Sequence, residues 1–263
     1  MDDFHTLTAT IERLLHIRCG NYKEDYIKRR LASRMNAVSI KEYLAYNKYL
    51  LATPVEQEKL RNALTINVTK FFRDKEVFET VKRELIPEIL KKKQRFRMWS
   101  AGCSSGEEPY SYAIVLYEIG LTNPTMDALI YATDIDYEIL KRAKEGVYER
   151  PALDNMSELQ IRKHFTLRPD GKYEIKPHIR EKVRFQYHDL MRGEPIAKYL
   201  DLISCRNVTI YFNEQQKNDL CKEFHSGLVT GGYYVMGLSE YLGKEMEHLF
   251  KAYRPLLKIF LRQ

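Results

Sequence analysis

No two cysteines in this sequence lie close enough together to form a Cys-x-x-Cys pair. The four present, Cys19, Cys103, Cys205 and Cys221, are widely scattered. That spacing argues against a zinc site and against a disulfide framework, and it fits thiols kept reduced in a cytosol. The seven histidines form no His-Glu-x-x-His pattern, so no protein-bound metal is expected. No apolar run approaches the length that spans a bilayer. The opening residues Met1-Asp2-Asp3-Phe4-His5 are acidic and polar, unlike a secretory signal. A cytoplasmic location without direct membrane insertion is therefore expected. Internal repeats and low-complexity tracts are missing as well.

Charge is present in excess of one sign. Lys and Arg number 43 against 36 Asp and Glu, a formal net charge of +7. A basic surface suits acidic partners: nucleic acid, anionic lipid or an acidic protein. The basic residues are not interleaved with stacking aromatics, and no RNA-binding module is recognisable, which argues against nucleic acid. The length of 263 residues suits one large domain, or a medium domain with a small one.

The apolar periodicity divides the chain. Phe4, Leu7, Ile11, Leu14 and Leu15 recur at helical spacing, with Cys19-Gly20-Asn21 as the stop. A second helix carries Ile27, Leu31, Met35 and Val38, with Arg30 and Arg34 one turn apart beside that stripe and Lys23 in line two turns earlier. Ser39-Ile40-Lys41-Glu42 reads as a capping box opening a third helix towards Leu51. A fourth runs from Pro54 to Leu64. Residues 74–93 read as a charged helix kinked or split by Pro87. From Arg95 strands and helices alternate, which predicts a parallel sheet with helices on both faces. The strands expected are 96–100, 128–133, 183–188, a central apolar 200–204, 233–236 and a terminal 256–261. Helices are expected at 107–120, 137–144, 214–228 and 244–250. Residues 150–182 interrupt this rhythm with prolines and an Asp170-Gly171 turn between Phe165-Thr166-Leu167 and Tyr173-Glu174-Ile175, a hairpin signature. The organisation expected is a helical N-terminal domain (1–75), a connecting helix (76–94) and an α/β domain (95–263) with an inserted β-subdomain (150–182).

In open α/β sheets ligands sit beyond the carboxyl ends of the strands. The loop after the first strand is Ala101-Gly102-Cys103-Ser104-Ser105-Gly106. It lacks the lysine of a phosphate-binding loop and the Gly-x-Gly-x-x-Gly dinucleotide pattern. Glu107 and Glu108 stand where the next helix begins. They suit the helix dipole but would repel a pyrophosphate. S-adenosylmethionine carries an ammonium and a sulfonium and no phosphate, so the loop fits it better; a turn that only packs helix on strand is the alternative. The second strand ends in Asp134-Ile135-Asp136. Asp134 can accept both ribose hydroxyls and Asp136 can cap the following helix, or both can be caps. Asp189 follows the third strand, placed to hydrogen-bond an adenine amino group. Arg206, Asn207 and Tyr211 follow the fourth, and Arg206 can equally serve a buried structural network. In the stretch Asn67-Val68-Thr69-Lys70-Phe71-Phe72-Arg73, the two phenylalanines read as core.

These motifs, Asn67-x-Thr69-x-Phe71-Phe72-Arg73, Trp99-Ser100-Ala101 through Gly106-Glu107-Glu108-Pro109-Tyr110-Ser111, Thr133-Asp134-Ile135-Asp136 and Cys205-Arg206-Asn207-Val208-x-Ile210-Tyr211-Phe212, resemble in order and spacing the CheR family of chemotaxis receptor methyltransferases. The resemblance covers nearly the whole chain. It implies an α/β Rossmann-like S-adenosylmethionine-dependent methyltransferase sheet, an all-α N-terminal domain and a small antiparallel β-subdomain, with no fused regulator or repeat domain. It implies transfer of a methyl group to glutamate side chains on the cytoplasmic methylation helices of methyl-accepting chemoreceptors, leaving S-adenosylhomocysteine. It implies donor contacts at Asn67, Thr69, Arg73, Glu107 (with Glu108 as the alternative), Asp134, Asp189, Leu190, Arg206 and Asn207, and places Arg73 and Tyr211 near the chemistry. The cationic face of Lys23, Arg30 and Arg34 then has a use, steering glutamate-rich helices, although a solvated helix face is the commoner fate of such a run. A monomer without nucleic acid or metal is expected. An RNA methyltransferase and a non-catalytic donor-sensing protein are the rival classes.

Overall fold

The computed structural model describes residues 2–65 and 69–263. It divides into two compact units, residues 1–67 with 211–216, and residues 68–210 with 217–263.

In the first unit, helix α1 (Asp3–Leu15) buries Phe4, Leu7, Ile11 and Leu15, and ends at His16 in left-handed backbone. The expected stop at 19–21 is a separate 3-10 turn. Helix α2 (Glu24–Ala37) buries Tyr26, Ile27, Leu31 and Met35. The capping box expected at Ser39 is not formed. Ser39 has φ 57°, and the Ser39 and Ile40 N–H groups donate back to the Asn36 and Met35 carbonyls. That pair of bonds is a Schellman closure of α2, and it needs left-handed backbone where a capping serine needs extended backbone. Helix α3 (Tyr43–Ala52) starts only after it, and α4 (Pro54–Leu64) uses Pro54 at its first position, where a missing N–H costs nothing. The four helices share one core with Tyr46, Leu50, Leu60 and Leu64.

The second unit opens with α5 (Lys75–Thr80), a π turn (Val81–Leu85) and α6 (Ile86–Leu90). Pro87 cannot donate, and the helix meets this with one wide turn in which the Ile86 N–H reaches the Val81 carbonyl. Strands and helices then alternate: β1 (Arg95–Ala101), α7 (Glu107–Gly120), β2 (Asp127–Asp134), α8 (Tyr137–Glu145). Next come β3 (Val147–Tyr148), α9 (Glu158–His164), β4 (Phe165–Leu167), β5 (Tyr173–Ile175) and α10 (Pro177–Arg180). They are followed by β6 (Val183–Tyr187), β7 (Leu200–Cys205), α11 (Glu214–Gly227), β8 (Leu228–Met236), β9 (Phe250–Arg254) and β10 (Ile259–Arg262). A large sheet has the order β6-β2-β1-β7-β8-β10-β9, and β3-β5-β4 form a small one. The small sheet is antiparallel, with the hairpin across Asp170-Gly171 as its β4–β5 pair.

The large sheet is mixed rather than parallel. From β6 to β8 neighbours run parallel, whereas β10 is antiparallel to β8 and to β9. Strand β9 was not expected from the sequence, and residues 244–249 form a 3-10 segment rather than a helix. Strand β7 is central and buried at all six positions. Strand order reverses between β1 and β7, so their carboxyl ends frame the crevice where such sheets take ligands. Among the described residues no helix is long and apolar enough to cross a membrane.

Candidate functional site

The loop after β1 is built to come close to its neighbours. Gly102 has φ +77°, and a Cβ there would lie 2.5 Å from Val208 Cγ2. The Gly102 and Cys103 N–H groups both donate to the Thr133 carbonyl at 2.8 Å, tying the loop to the end of β2. Gly106, at φ +95°, precedes α7. Glycine is required at both because a side chain in left-handed backbone is strained.

The carboxylates collect at these strand ends. Asp134 Oδ2 accepts the Ser104 N–H at 2.8 Å, and Oδ1 accepts the Asp136 N–H at 3.0 Å. Burial nevertheless pushes its carboxyl up to about 6, against the pull of those N–H groups. Asp136 caps α8, accepting the N–H groups of Glu138 and Ile139. Glu107 is buried and accepts the Ser105 hydroxyl at 2.7 Å; burial raises its pKa too. Glu108 plays a different part. It accepts the Ser100 hydroxyl at 2.8 Å and faces the Arg206 guanidinium at 3.4 Å. The two adjacent glutamates are thus separated, with Glu107 free of that guanidinium. The His188 N–H donates to the Asp134 carbonyl, which brings the end of β6 alongside. There Asp189 accepts the Met191 N–H and Leu190 is buried.

Arg206 and Asn207 follow β7. The Arg206 side chain is buried. It donates to the Asp74 carboxylate and to the Arg73 carbonyl at 2.9 Å, in addition to Glu108. The buried network is therefore what its guanidinium serves. Asn207 sits at φ 61°, and its N–H donates to Glu240. Segment 69–74 belongs to this unit. The Phe71 N–H donates to the Ala152 carbonyl, the Phe72 N–H to the Ser111 hydroxyl, and both rings are buried as core. Thr69 and Arg73 are partly exposed. Asn67 lies outside the described residues.

The remaining candidates lie in the first unit. The Tyr211 carbonyl accepts the Lys23 N–H at 2.9 Å, and its ring lies 4.8 Å from that of Tyr26. Tyr26 is pinned in turn by its hydroxyl, which donates to the Leu64 carbonyl. Lys23 is exposed at the start of α2, and Arg30 lies over the Tyr26 ring at 5.4 Å. Arg34 is not a free cation. Its guanidinium bonds both oxygens of the buried Glu56, which also accepts the Tyr46 hydroxyl. Glu56 carried no signal in the sequence beyond an acid on a helix. Glu240 carried none beyond an acid shortly after a strand.

At the carboxyl ends of β1, β2, β6 and β7 thus stand Glu107, Asp134 and Asp189, an amide, Asn207, and a glycine turn. Two of these carboxyls have raised pKa values, so a ligand bearing positive charge and hydroxyl donors would favour their ionised forms. A phosphate would not. The donor set fits S-adenosylmethionine.

Comparison with known proteins agrees. Residues 67–255 match the model of the CheR methyltransferase SAM binding domain, and residues 2–65 that of the CheR methyltransferase all-alpha domain. Among curated relatives, Chemotaxis protein methyltransferase Cher2 of Pseudomonas putida is 34% identical over 94% of this chain and 92% of its own length. Chemotaxis protein methyltransferase 1 of Pseudomonas aeruginosa is 32% identical over 94% and 92%. The Chemotaxis protein methyltransferase of Listeria innocua is 35% identical over 90% and 89%. The crevice and these matches together place the chain in the CheR methyltransferase family, as an S-adenosylmethionine-dependent methyltransferase with an all-α N-terminal domain.

Proposed function

We propose that this protein transfers the methyl group of S-adenosylmethionine to glutamate side chains on the cytoplasmic helices of chemoreceptors, forming glutamate methyl esters. The observation that carries the reading is the set of carboxylates and the amide at the ends of β1, β2, β6 and β7, in a chain of this family whose relatives are named for chemotaxis. In this reading Asp134 takes the ribose hydroxyls, Asp189 and Leu190 the adenine, and Glu107, Thr69, Asn207 and Asn67 the rest of the donor. Arg206 acts by fixing the Arg73 backbone through its bond to the Arg73 carbonyl.

When bound, the donor supplies an already activated sulfonium methyl. A glutamate acceptor is ionised at neutral pH, so no strong general base is called for. The protein's work is then positioning, with oxygen, methyl carbon and sulfur held in line. Arg73 orients the donor carboxylate or the incoming glutamate, and Tyr211 positions the methyl. Support for Tyr211 as an acceptor-side group comes from its link to α2, whose exposed Lys23 and partly exposed Arg30 suit a glutamate-rich helix. Receptors of this kind present their methylated helices in the cytoplasm, and that is where we place the enzyme, acting as a monomer.

Incubation with methyl-labelled donor and either a receptor cytoplasmic fragment or RNA tests the proposal. Label on the receptor fragment is expected. Label on RNA, or donor binding with no transfer to either, would overturn it.

A further inference from the structure

Glu240 is a buried carboxylate, 3% exposed, that the reaction described above does not use. Its oxygens take five hydrogen bonds. Oε2 accepts the N–H of Asn207 at 2.9 Å and of Gly237 at 2.6 Å. Oε1 accepts the N–H of Val208 at 3.0 Å, and the N–H and hydroxyl of Thr209 at 2.7 Å each. Three consecutive N–H groups, 207 to 209, therefore converge on one anion. Such a concavity of backbone N–H groups binds anions generally, and here the chain supplies its own.

The bonds have a conformational consequence. Asn207 sits at φ 61°, backbone that a non-glycine residue keeps only where the surroundings hold it there. The carboxylate supplies that hold. The two loops it joins are neighbours by sheet register, since Cys205 of β7 pairs with Met236 of β8. A Cβ at position 237 would lie 2.6 Å from Glu240 Oε2, 2.8 Å from the Asn207 nitrogen and 2.9 Å from Asn207 Nδ2. The Asn207 side-chain amide is thus packed against a glycine that Glu240 also grips.

We infer that Glu240 is a positioning residue for methyl transfer, holding the loop after β7 so that the Asn207 amide is presented to the donor. It touches neither donor nor acceptor itself. The inference rests on the reading that Asn207 contacts the donor. A glutamine in its place has one acceptor oxygen, and its NH₂ would face N–H groups, so at most the bonds on one side survive.

The test is a double-mutant cycle on donor affinity, read by calorimetry with S-adenosylhomocysteine, using Glu240→Gln, Asn207→Ala and the pair in the full chain. Each single variant is expected to weaken binding by about tenfold, the order expected for losing charge-assisted bonds. The pair should be no weaker than the poorer single. In turnover the KM for the donor should rise while the KM for the receptor fragment stays. Thr209→Val removes one of the five bonds with little change of shape, and guards against a misfolded Glu240→Gln. It should give a smaller loss that also vanishes in the Asn207→Ala background. If Asn207→Ala weakens binding but Glu240→Gln and Thr209→Val do not, the inference is wrong and the donor-site reading stands. Additive losses would also overturn it, because Glu240 would then act on general stability. If Asn207→Ala binds like the parent, the assignment of Asn207 fails and the inference with it.

Discussion

Arg206 holds Asp74 in a partly buried ion pair, and by doing so fixes the backbone from which Arg73 projects. Asp74 sits at φ 59° at the start of α5 and does not cap that helix, because its carboxylate is given to Arg206. The same guanidinium bonds the Arg73 carbonyl and faces Glu108, so one side chain joins the end of β7, the start of α7 and the segment before α5. Removing it leaves two partly buried acids with no cation between them. Arg206→Met is expected to lower stability in chemical denaturation by at most about 3–5 kcal/mol, the range for breaking a fully buried pair from one side. Arg206→Lys should recover little, since an ammonium cannot reproduce the planar fork. A variant as stable as the parent would show that the network contributes nothing to stability.

In the proposed reading, where Asp134 takes the ribose hydroxyls, donor binding depends on pH. The Asp134 carboxyl is pushed up to about 6 by burial, and the donor's hydroxyls and positive charge favour the ionised form. Affinity for S-adenosylhomocysteine should therefore fall as the pH drops through about 6, and Asp134→Asn should remove that inflection while weakening binding at pH 7. The sign for stability is the opposite. A raised carboxyl pKa favours the protonated folded state, so without ligand this group's contribution is fully present below the ordinary value of 3.8 and is lost as the pH rises through about 6. Calorimetric titrations from pH 5 to pH 8 on both proteins check the first statement.

The glycine at position 102 allows a simpler test. Left-handed backbone costs a non-glycine residue about 1–2 kcal/mol, and the added methyl would also meet Val208 at 2.5 Å. Valine is stiff at χ1 and cannot swing aside. Gly102→Ala should lower stability by at least that amount and weaken donor binding, measured by denaturation and calorimetry. Gly171→Ala, whose Cβ would meet nothing within 4 Å at the tip of the β4–β5 hairpin, should leave donor binding alone.

The cations on α2 divide into two kinds. Reversing charge at Lys23 and Arg30 should weaken binding of a receptor fragment and flatten its salt dependence. Arg34→Glu should instead unfold the helical unit, because it sets two acids together at the buried Glu56. Burial alone would raise the Glu56 carboxyl, but the bonds from Arg34 and Tyr46 outweigh it and hold it below its ordinary 4.5. That stability is present above 4.5 and lost as the pH falls further, so Glu56→Gln should make the helical unit less sensitive to acid. Denaturation midpoints at pH 7 and pH 3.5 decide the point.

Much of this architecture is legible in the sequence, and the exceptions have a common cause. The alternation of apolar runs with amphipathic helices predicts the core of the sheet, and the mostly apolar, fully buried Leu200–Cys205 marks its centre. The Asp170-Gly171 turn predicts its hairpin because a short turn is a local matter. Ser39 misleads because the same residue type can open one helix or close another, and packing chooses. Strand β9, Phe-Lys-Ala-Tyr-Arg, is mostly polar on its open side and exists because β10 lies beside it. Among the site candidates, the places of Asp134 at the end of β2 and of Glu107 at the start of α7 follow from the alternation of strands and helices. The roles of Arg34, Arg206 and Glu240 do not, because each is set by a partner 22 or more residues away.

The central claim is that the acceptor is a carboxylate. The most direct measurement is mass spectrometry of a receptor cytoplasmic fragment after reaction with this protein and S-adenosylmethionine, followed by mild base. The account predicts that glutamate residues gain one methyl each and that base releases it as methanol, with no gain when Arg73→Ala replaces the parent enzyme. Methyl groups that resist base, on lysine, arginine or glutamine, would contradict it.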